Sequence, residues 1–346
     1  MYKDCLRLLF SALLVFLPLR SDGAEASFSP DNLVAVPREF PATITQYEKE
    51  ALPLLAKRDY AKLEEMAKEL RTSKKQISSG SWHLVSFYSA LSGLPDNATT
   101  AQWQQRQLQL ESWARANTNS ITALTALADY WTSYASDARG GGWANTVSQQ
   151  NFNLMRMRLA RAGEILKRAY KLESKCPYYY TVAQSIALHS NMPRAQYEQM
   201  VAEGIALAPD YISLYFQKIT YLQPRWHGKD PNEWHNYIKA EADKLGGEEG
   251  DLFYARNACL AHSMGFYDAF IRDSPVEWPR LKKGLEICLK RYPDSLWAKT
   301  RLCYFSGQKG EKQQAKKYFQ EIGHQVDTSV WSKTRFLEDR EWAFKP

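Results

Sequence analysis

An all-α fold of stacked antiparallel helical hairpins follows from three features of this 346-residue chain. Apolar residues recur at helical spacing in segment after segment. Prolines and glycines punctuate those segments at intervals that suit short turns. The Val, Ile and Thr alternation that marks a strand is almost absent. The clearest segment carries Phe152, Met155, Leu159, Ala162, Leu166 and Ala169, and its steps of three and four keep them all on one helix face.

The N-terminus reads as an export signal. Lys3 and Arg7 precede an apolar run from Leu8 to Leu19, and Ala24-Glu25-Ala26 supplies a small-x-small cleavage pattern. The run falls short of the roughly 20 residues that a spanning helix needs. Residues 1–26 are therefore expected to be removed, leaving a periplasmic or secreted chain with no membrane span. Residues 27–42, with Pro30, Pro37 and Pro41, read as an extended lead-in. Residues 43–265 read as a helical-repeat domain, and residues 266–346 as further basic hairpins.

Within the helical region each element has a local reason. Leu63, Met66, Ala67 and Leu70 mark an amphipathic helix after the Arg58-Asp59-Tyr60 turn, and Ser79-Gly80-Ser81 breaks the chain. Pro95-Asp96-Asn97 breaks it again inside an Asn97-Ala98-Thr99 sequon, which calls for an exposed loop. Thr99 or Thr100 can cap the helix carrying Trp103, Leu110 and Trp113. Ser120 can cap the next, whose stripe is Leu124, Leu127, Trp131 and Tyr134. A glycine-rich loop follows Arg139, and a long helix opens near Ser148. Further segments start near Pro177, Pro193 and Pro209, with Pro231 expected in the first turn of another. The Gly246-Gly247-Glu248-Glu249-Gly250 stretch reads as a flexible solvated connector.

The formal charge is +7, and the predicted cleavage leaves it unchanged because the removed segment holds three cations and three anions. From Pro275 to Pro346 there are 15 Lys or Arg against 9 Asp or Glu. That excess either favours an anionic envelope polymer as a partner or is a solvated face with interspersed acids. An exported chain without a nucleic-acid module argues against nucleic acid as a partner. Cys176, Cys259, Cys288 and Cys303 follow the predicted cleavage point. Disulfides, with Cys288 and Cys303 as one candidate pair, and free buried thiols are equal alternatives.

The Ser295–Ile322 unit resembles a degenerate tetratricopeptide repeat. Leu302 and Cys303 fit its large and small first-helix positions, Gly310 its turn, and Ala315 and Phe319 its second helix. Pro177 and Pro209 lie 32 residues apart, near the roughly 34-residue period of such repeats. The segments Tyr134-Ala135-Ser136-Asp137-Ala138-Arg139-Gly140 and Tyr221-Leu222-Gln223-Pro224-Arg225-Trp226-His227-Gly228 together resemble an uncharacterised bacterial family known as domain of unknown function 4034. That resemblance spans about residues 55–265. It implies a helical repeat-like fold and supplies no activity.

Two loops concentrate groups that contact ligands. Arg139 and Trp143 flank three glycines whose N–H groups could hold an anion, although the same glycines would serve to reverse the chain. Arg225, Trp226 and His227 combine charge-assisted hydrogen bonding, stacking and proton exchange in one connection. These five are the expected ligand-binding residues. His227 and His235 are poor metal ligands because Pro231 separates them, so neither a metal nor a cofactor is expected. No Gly-x-Ser-x-Gly or His-Glu-x-x-His motif is present. The leading expectation is a non-catalytic scaffold that binds a protein or an envelope polymer. The alternative is an envelope glycan hydrolase or lyase using a carboxylate pair, either Glu233 with Asp230 or Asp129 with Asp137.

Overall fold

The computed structural model describes residues 28–36, 38–141, 144–190, 192–265, 267 and 269–346. The expected signal segment and Trp143 lie outside the described residues. The fold is all-α. After a 3-10 turn at Pro30–Asn32 and strand β1 (Val34–Val36) come α1 (Glu39–Lys57), α2 (Tyr60–Ser73), α3 (His83–Ser92), α4 (Thr100–Ala116) and α5 (Ile121–Arg139). A second 3-10 turn at Ala144–Thr146 leads to α6 (Gln149–Tyr170), α7 (Pro177–Leu188), α8 (Arg194–Leu207), α9 (Ile212–Tyr221), α10 (Glu233–Leu245) and α11 (Gly247–Ser263). The chain ends with α12 (Phe270–Asp273), α13 (Trp278–Arg291), α14 (Leu296–Lys309), α15 (Lys312–Ile322), strand β2 (Gln325–Asp327) and α16 (Lys333–Phe344). Among the described residues no helix is long and apolar enough to cross a membrane.

Local chemistry sets most boundaries. Thr99 accepts the Gln102 N–H while Gln102 reaches back to Thr99, a full capping box for α4. Ser120, Ser148, Ser295 and Ser332 cap α5, α6, α14 and α16 in the simpler way, each accepting one N–H. Pro177 opens α7, where its missing N–H costs nothing, and Gly310 (φ 77°) closes α14 in the left-handed region.

Three expectations need correction. The helix α1 begins at Glu39, inside the segment read as extended, because Pro41 falls in a first turn that can spare its N–H. Residues 247–250 form the first turn of α11 rather than a loose connector. Glu248 and Glu249 sit favourably at that helix start and pair with Lys290 and Arg291. Gly250 is there because a Cβ would lie 2.3 Å from the Ala242 carbonyl of α10. Pro231 precedes α10 instead of entering its first turn. The cysteines settle on one of their two alternatives, since Cys176, Cys259, Cys288 and Cys303 are buried free thiols.

The helices pack as an ordered layer. α5 packs on α6, α7 on α8 and α10 on α11, while α3, α5, α7, α9 and α11 also pack side by side in that order. Aromatic rings fill the seams, as where Tyr88 of α3 stacks on Tyr178 of α7 at 4.3 Å. One buried cluster holds Trp82 and Trp113, and a second holds Trp234, Trp278 and Trp331. Met200, Ile205, Tyr237 and Phe253 pack against both, so the apolar interior is continuous.

The N-terminal segment ties the two ends together. β1 pairs in parallel with β2, with Val34 opposite Gln325 and Val36 opposite Asp327. Leu33 is buried in the C-terminal cluster. The turn after α2 reaches inward, where the Ser78 carbonyl accepts Arg256 Nε (3.2 Å) and Cys288 Sγ (3.3 Å).

Close packing of α13 on α11 rests on Gly284, where a Cβ would lie 2.1 Å from the Asp251 carbonyl and 2.5 Å from Ala255 Cβ. Gly284→Ala is expected to lower stability by about 1–3 kcal/mol through overpacking. Gly163→Ala, in open space on α6, is expected to raise it by up to about 1 kcal/mol. Urea unfolding of the two variants checks both signs.

Candidate functional site

The residues that sequence reasoning singled out are brought together in part. Arg139 ends α5 and donates Nη1–H to the Gly140 carbonyl at 3.0 Å. Arg225, Trp226 and His227 occupy the connection between α9 and α10, which folds back on itself so tightly that a Cβ on Gly228 would lie 1.9 Å from the Leu222 carbonyl. His227 stacks on Tyr221 at 4.3 Å, and its Nε2 lies 3.1 Å from the Leu188 carbonyl. The Arg225 guanidinium lies over the Trp226 ring at 5.9 Å, and Trp226 meets His189 edge-on at 5.0 Å. Burial, then the positive charge of Arg139, holds Arg225 below the usual guanidinium range. Burial first, then Arg139 and His227, holds His189 below the usual imidazole range. The two loops therefore converge around His189, a residue the sequence did not single out.

The carboxylates of the catalytic alternative are placed differently. Glu233 pairs with Arg194 at 2.6 Å and accepts the Lys229 N–H at 2.8 Å. Burial opposes the charge, but the Arg194 and Lys229 hydrogen bonds hold the Glu233 carboxyl below the usual range. Asp230 accepts the Asn232 N–H at 2.7 Å. Neither lines the cavity on the helix layer. Asp129 and Asp137 are eight residues apart on α5, about 12 Å along a helix axis, which exceeds the span of a glycosidase pair. Asp137 instead faces Arg158 at 3.9 Å.

A cavity of about 530 Å³ opens on the layer of side-by-side helices. Each helix contributes one stripe at helical spacing. α3 gives Val85 and Ser89, α5 gives Asp129, Thr132, Ser133 and Ser136, and α7 gives Tyr178, Thr181 and Ser185, with His189 at its C-terminal end. α9 adds Ser213, Phe216 and Gln217, and α11 adds Cys259 and Ser263. Small hydroxyl side chains leave the space open and set polar groups among apolar ones such as Val182, Ile212 and Leu260. At the other part of the wall, Arg38, Glu39 and Trp297 also line a second cavity of about 500 Å³, so the two form a continuous groove. There Arg301 pairs with Asp327 at 3.3 Å, and Glu39 accepts the Ser78 N–H (3.1 Å) and Oγ–H (2.5 Å).

Asp129 is the charged group inside the hydroxyl-lined part. Both of its donors bind one oxygen, Oδ2, namely Ser92 Oγ and Tyr178 OH, the latter at 2.8 Å. Among the described residues no ion pair involves Asp129. Burial pushes its carboxyl up to about 6, and the two hydroxyl donors offset only part of that rise. The surroundings accommodate both protonation states. Ser92 Oγ also lies 2.9 Å from the Tyr88 carbonyl, so a protonated Asp129 can donate to Ser92 while Ser92 donates onward. Among the described residues no cluster of His, Cys, Asp or Glu is suited to hold a metal ion.

Comparison of the chain with protein-family models, with curated proteins and with solved structures yields no match.

A carboxyl whose folded value exceeds its unfolded one favours folding when protonated, and that benefit is lost as pH rises through about 6. Each unit of pH between the folded value and the ordinary one corresponds to about 1.4 kcal/mol. Asp129→Asn keeps the shape and removes the charge. It is expected to stabilise the protein at pH 7.5 by about 2–3 kcal/mol and to leave it nearly unchanged at pH 4, as read by thermal unfolding at both pH values.

Proposed function

We propose that this is an exported, non-catalytic binding protein whose stacked, tetratricopeptide-like hairpins hold an extended segment of a partner protein in the hydroxyl-lined groove. The observation that carries this reading is the wall itself, to which α3, α5, α7, α9 and α11 each contribute at least one serine or threonine hydroxyl among apolar side chains. An extended chain exposes unpaired N–H and C=O groups on both edges, and hydroxyls can donate to or accept from either. Packed helices lie roughly 8–10 Å apart, so each step from one helix to the next matches about three residues of extended chain. The cavity volume falls within the ordinary range for ligand sites, about 300–1,000 Å³. The loop residues Arg139, Arg225, Trp226 and His227 then serve at the margin of the groove, grouped around His189, which belongs to its wall.

An anionic envelope polymer draws less support. Much of the basic excess near the C-terminus is met within the fold by acids from outside that segment, where Arg280 pairs with Asp243, Lys283 with Asp251, Lys290 with Glu248 and Arg291 with Glu249. A glycan hydrolase also draws less support, because Glu233 is committed to Arg194 and Lys229 and the carboxylate of Asp129 has no partner at a productive spacing on its own helix.

A photo-crosslinking residue at Ser133, inside the groove, is expected to trap one discrete protein from the native envelope. The same residue at Lys167, on the outward side of α6 with a side chain 73% exposed, is expected to trap none of it. Equal trapping at both positions, or adducts that are wholly carbohydrate, would refute the assignment. Arg225→Ala and Trp226→Ala are expected to weaken the Ser133 adduct without lowering the melting temperature by more than a few degrees.

A further inference from the structure

The groove reading leaves open what its occupant must look like. Three observations around Asp129 bear on that. The two hydrogen bonds to this carboxylate converge on Oδ2, so Oδ1 is left for the cavity that Asp129 lines. The nearby lining groups from α5 and α7, Thr132, Ser133, Ser136 and Ser185, are hydroxyls, each able to accept a hydrogen bond from a cation. Thr181, 7% exposed and in the same wall, has the Tyr211 hydroxyl beside it but makes no hydrogen bond of good geometry. A partly buried negative charge without a counter-ion, beside hydroxyls that can accept hydrogen bonds, is a costly arrangement that a donor-rich cation relieves.

Resting on the groove reading, we propose that Asp129 is a specificity residue that seats the basic side chain, lysine or arginine, of the bound protein segment. An ammonium suits the site because it only donates. It can place one N–H on Asp129 Oδ1 and the others on lining hydroxyls. Arg38, shared with the second cavity, adds a positive charge to the wall, and the two remaining charged groups are engaged within the fold. Arg301 is paired with Asp327, and Glu39 is bonded to the Ser78 N–H and Oγ–H. A peptide fits better than an amino sugar, because sugars need open aromatic faces. Tyr178 already stacks on Tyr88 with one face, and Trp297 carries the Arg301 guanidinium 4.7 Å from its ring centre. The charge also gives the contact a pH dependence. Tyr178 from α7 and Tyr211 from the turn before α9 are the titratable groups facing Asp129, and burial holds both phenols far above neutrality. α3 presents the hydroxyls of Ser89 and Ser92. Asp129 is therefore the carboxyl whose proton competes with the ligand's cation near pH 6, while His189 in the same wall is held below the usual imidazole range by burial and by Arg139.

The test uses the full mature chain and a set of capped Gly/Ser decapeptides that differ at one central residue, lysine, arginine, norleucine or glutamate, titrated by calorimetry at pH 7.5 and pH 5. The lysine and arginine peptides are expected to bind at least tenfold more tightly than the norleucine peptide at pH 7.5. That preference should shrink at pH 5 and vanish in Asp129→Asn. Groove-filling Ser133→Trp and Ser136→Trp, with circular dichroism confirming their fold, should abolish binding of every peptide. If the Trp variants lose binding but wild type does not distinguish lysine from norleucine, the Asp129 assignment is wrong and the groove reading stands. If folded Trp variants bind as wild type does, or no peptide binds wild type, both are wrong. Binding of a glucosamine tetramer through Asp129 in place of the peptides would overturn the peptide assignment.

Discussion

The side-by-side packing of α3, α5, α7, α9 and α11 is the constraint on which the rest of this molecule depends. Each of these helices must bury apolar residues on one side and still leave a polar stripe on another. The stacked rings of Tyr88 and Tyr178 and the edge contact of Trp82 with Tyr211 fix their relative positions. Those same seams set Asp129, Ser92 and Tyr178 within hydrogen-bonding distance across three different helices. A shift of one helix by a single residue would rotate its stripe by about 100° and remove it from the groove wall.

The strap from the N-terminus supports this layer from outside it. Pairing of β1 with β2 joins segments nearly 300 residues apart, and the Ser78 carbonyl collects donors from α11 and α13. Such contacts brace the groove between the early and late helices. Asp129 is held within it at a cost to the folded state above pH 6, whereas the outer ion pairs between α11 and α13, Lys290 with Glu248 and Arg291 with Glu249, are exposed and carry little each. A costly, partly buried charge is best understood through what it meets when the groove is filled.

Much of the helical architecture was legible in the sequence, because capping residues and apolar periodicity act locally. Ser120, Ser148 and Ser295 announce their helices by one hydrogen bond each, and Pro177 does so by a missing one. Residues 247–250 were misread because Gly250 answers to a tertiary neighbour, the Ala242 carbonyl, and glycine by itself signals flexibility. For the site, composition drew attention to conspicuous groups, Arg225, Trp226 and His227, which are found where two loops meet. The groove wall escaped notice because serine and threonine look unremarkable singly. The available signal was their recurrence at helical spacing, Thr132, Ser133 and Ser136 on one helix and Thr181 and Ser185 on another. Asp129 was named, but with Asp137 as its partner. The partners that matter, Ser92 and Tyr178, come from other helices, and no local spacing encodes them.

The central claim is that the groove holds a carboxylate without a counter-ion. Titration of the Asp129 carboxyl carbon by NMR, with Asp129→Asn assigning the resonance, measures this directly in the free protein. A midpoint near 6 is expected. A midpoint at the ordinary aspartate value of about 3.9 would mean that water or a cation already satisfies the charge, and the groove would then have no unmet demand for a basic ligand.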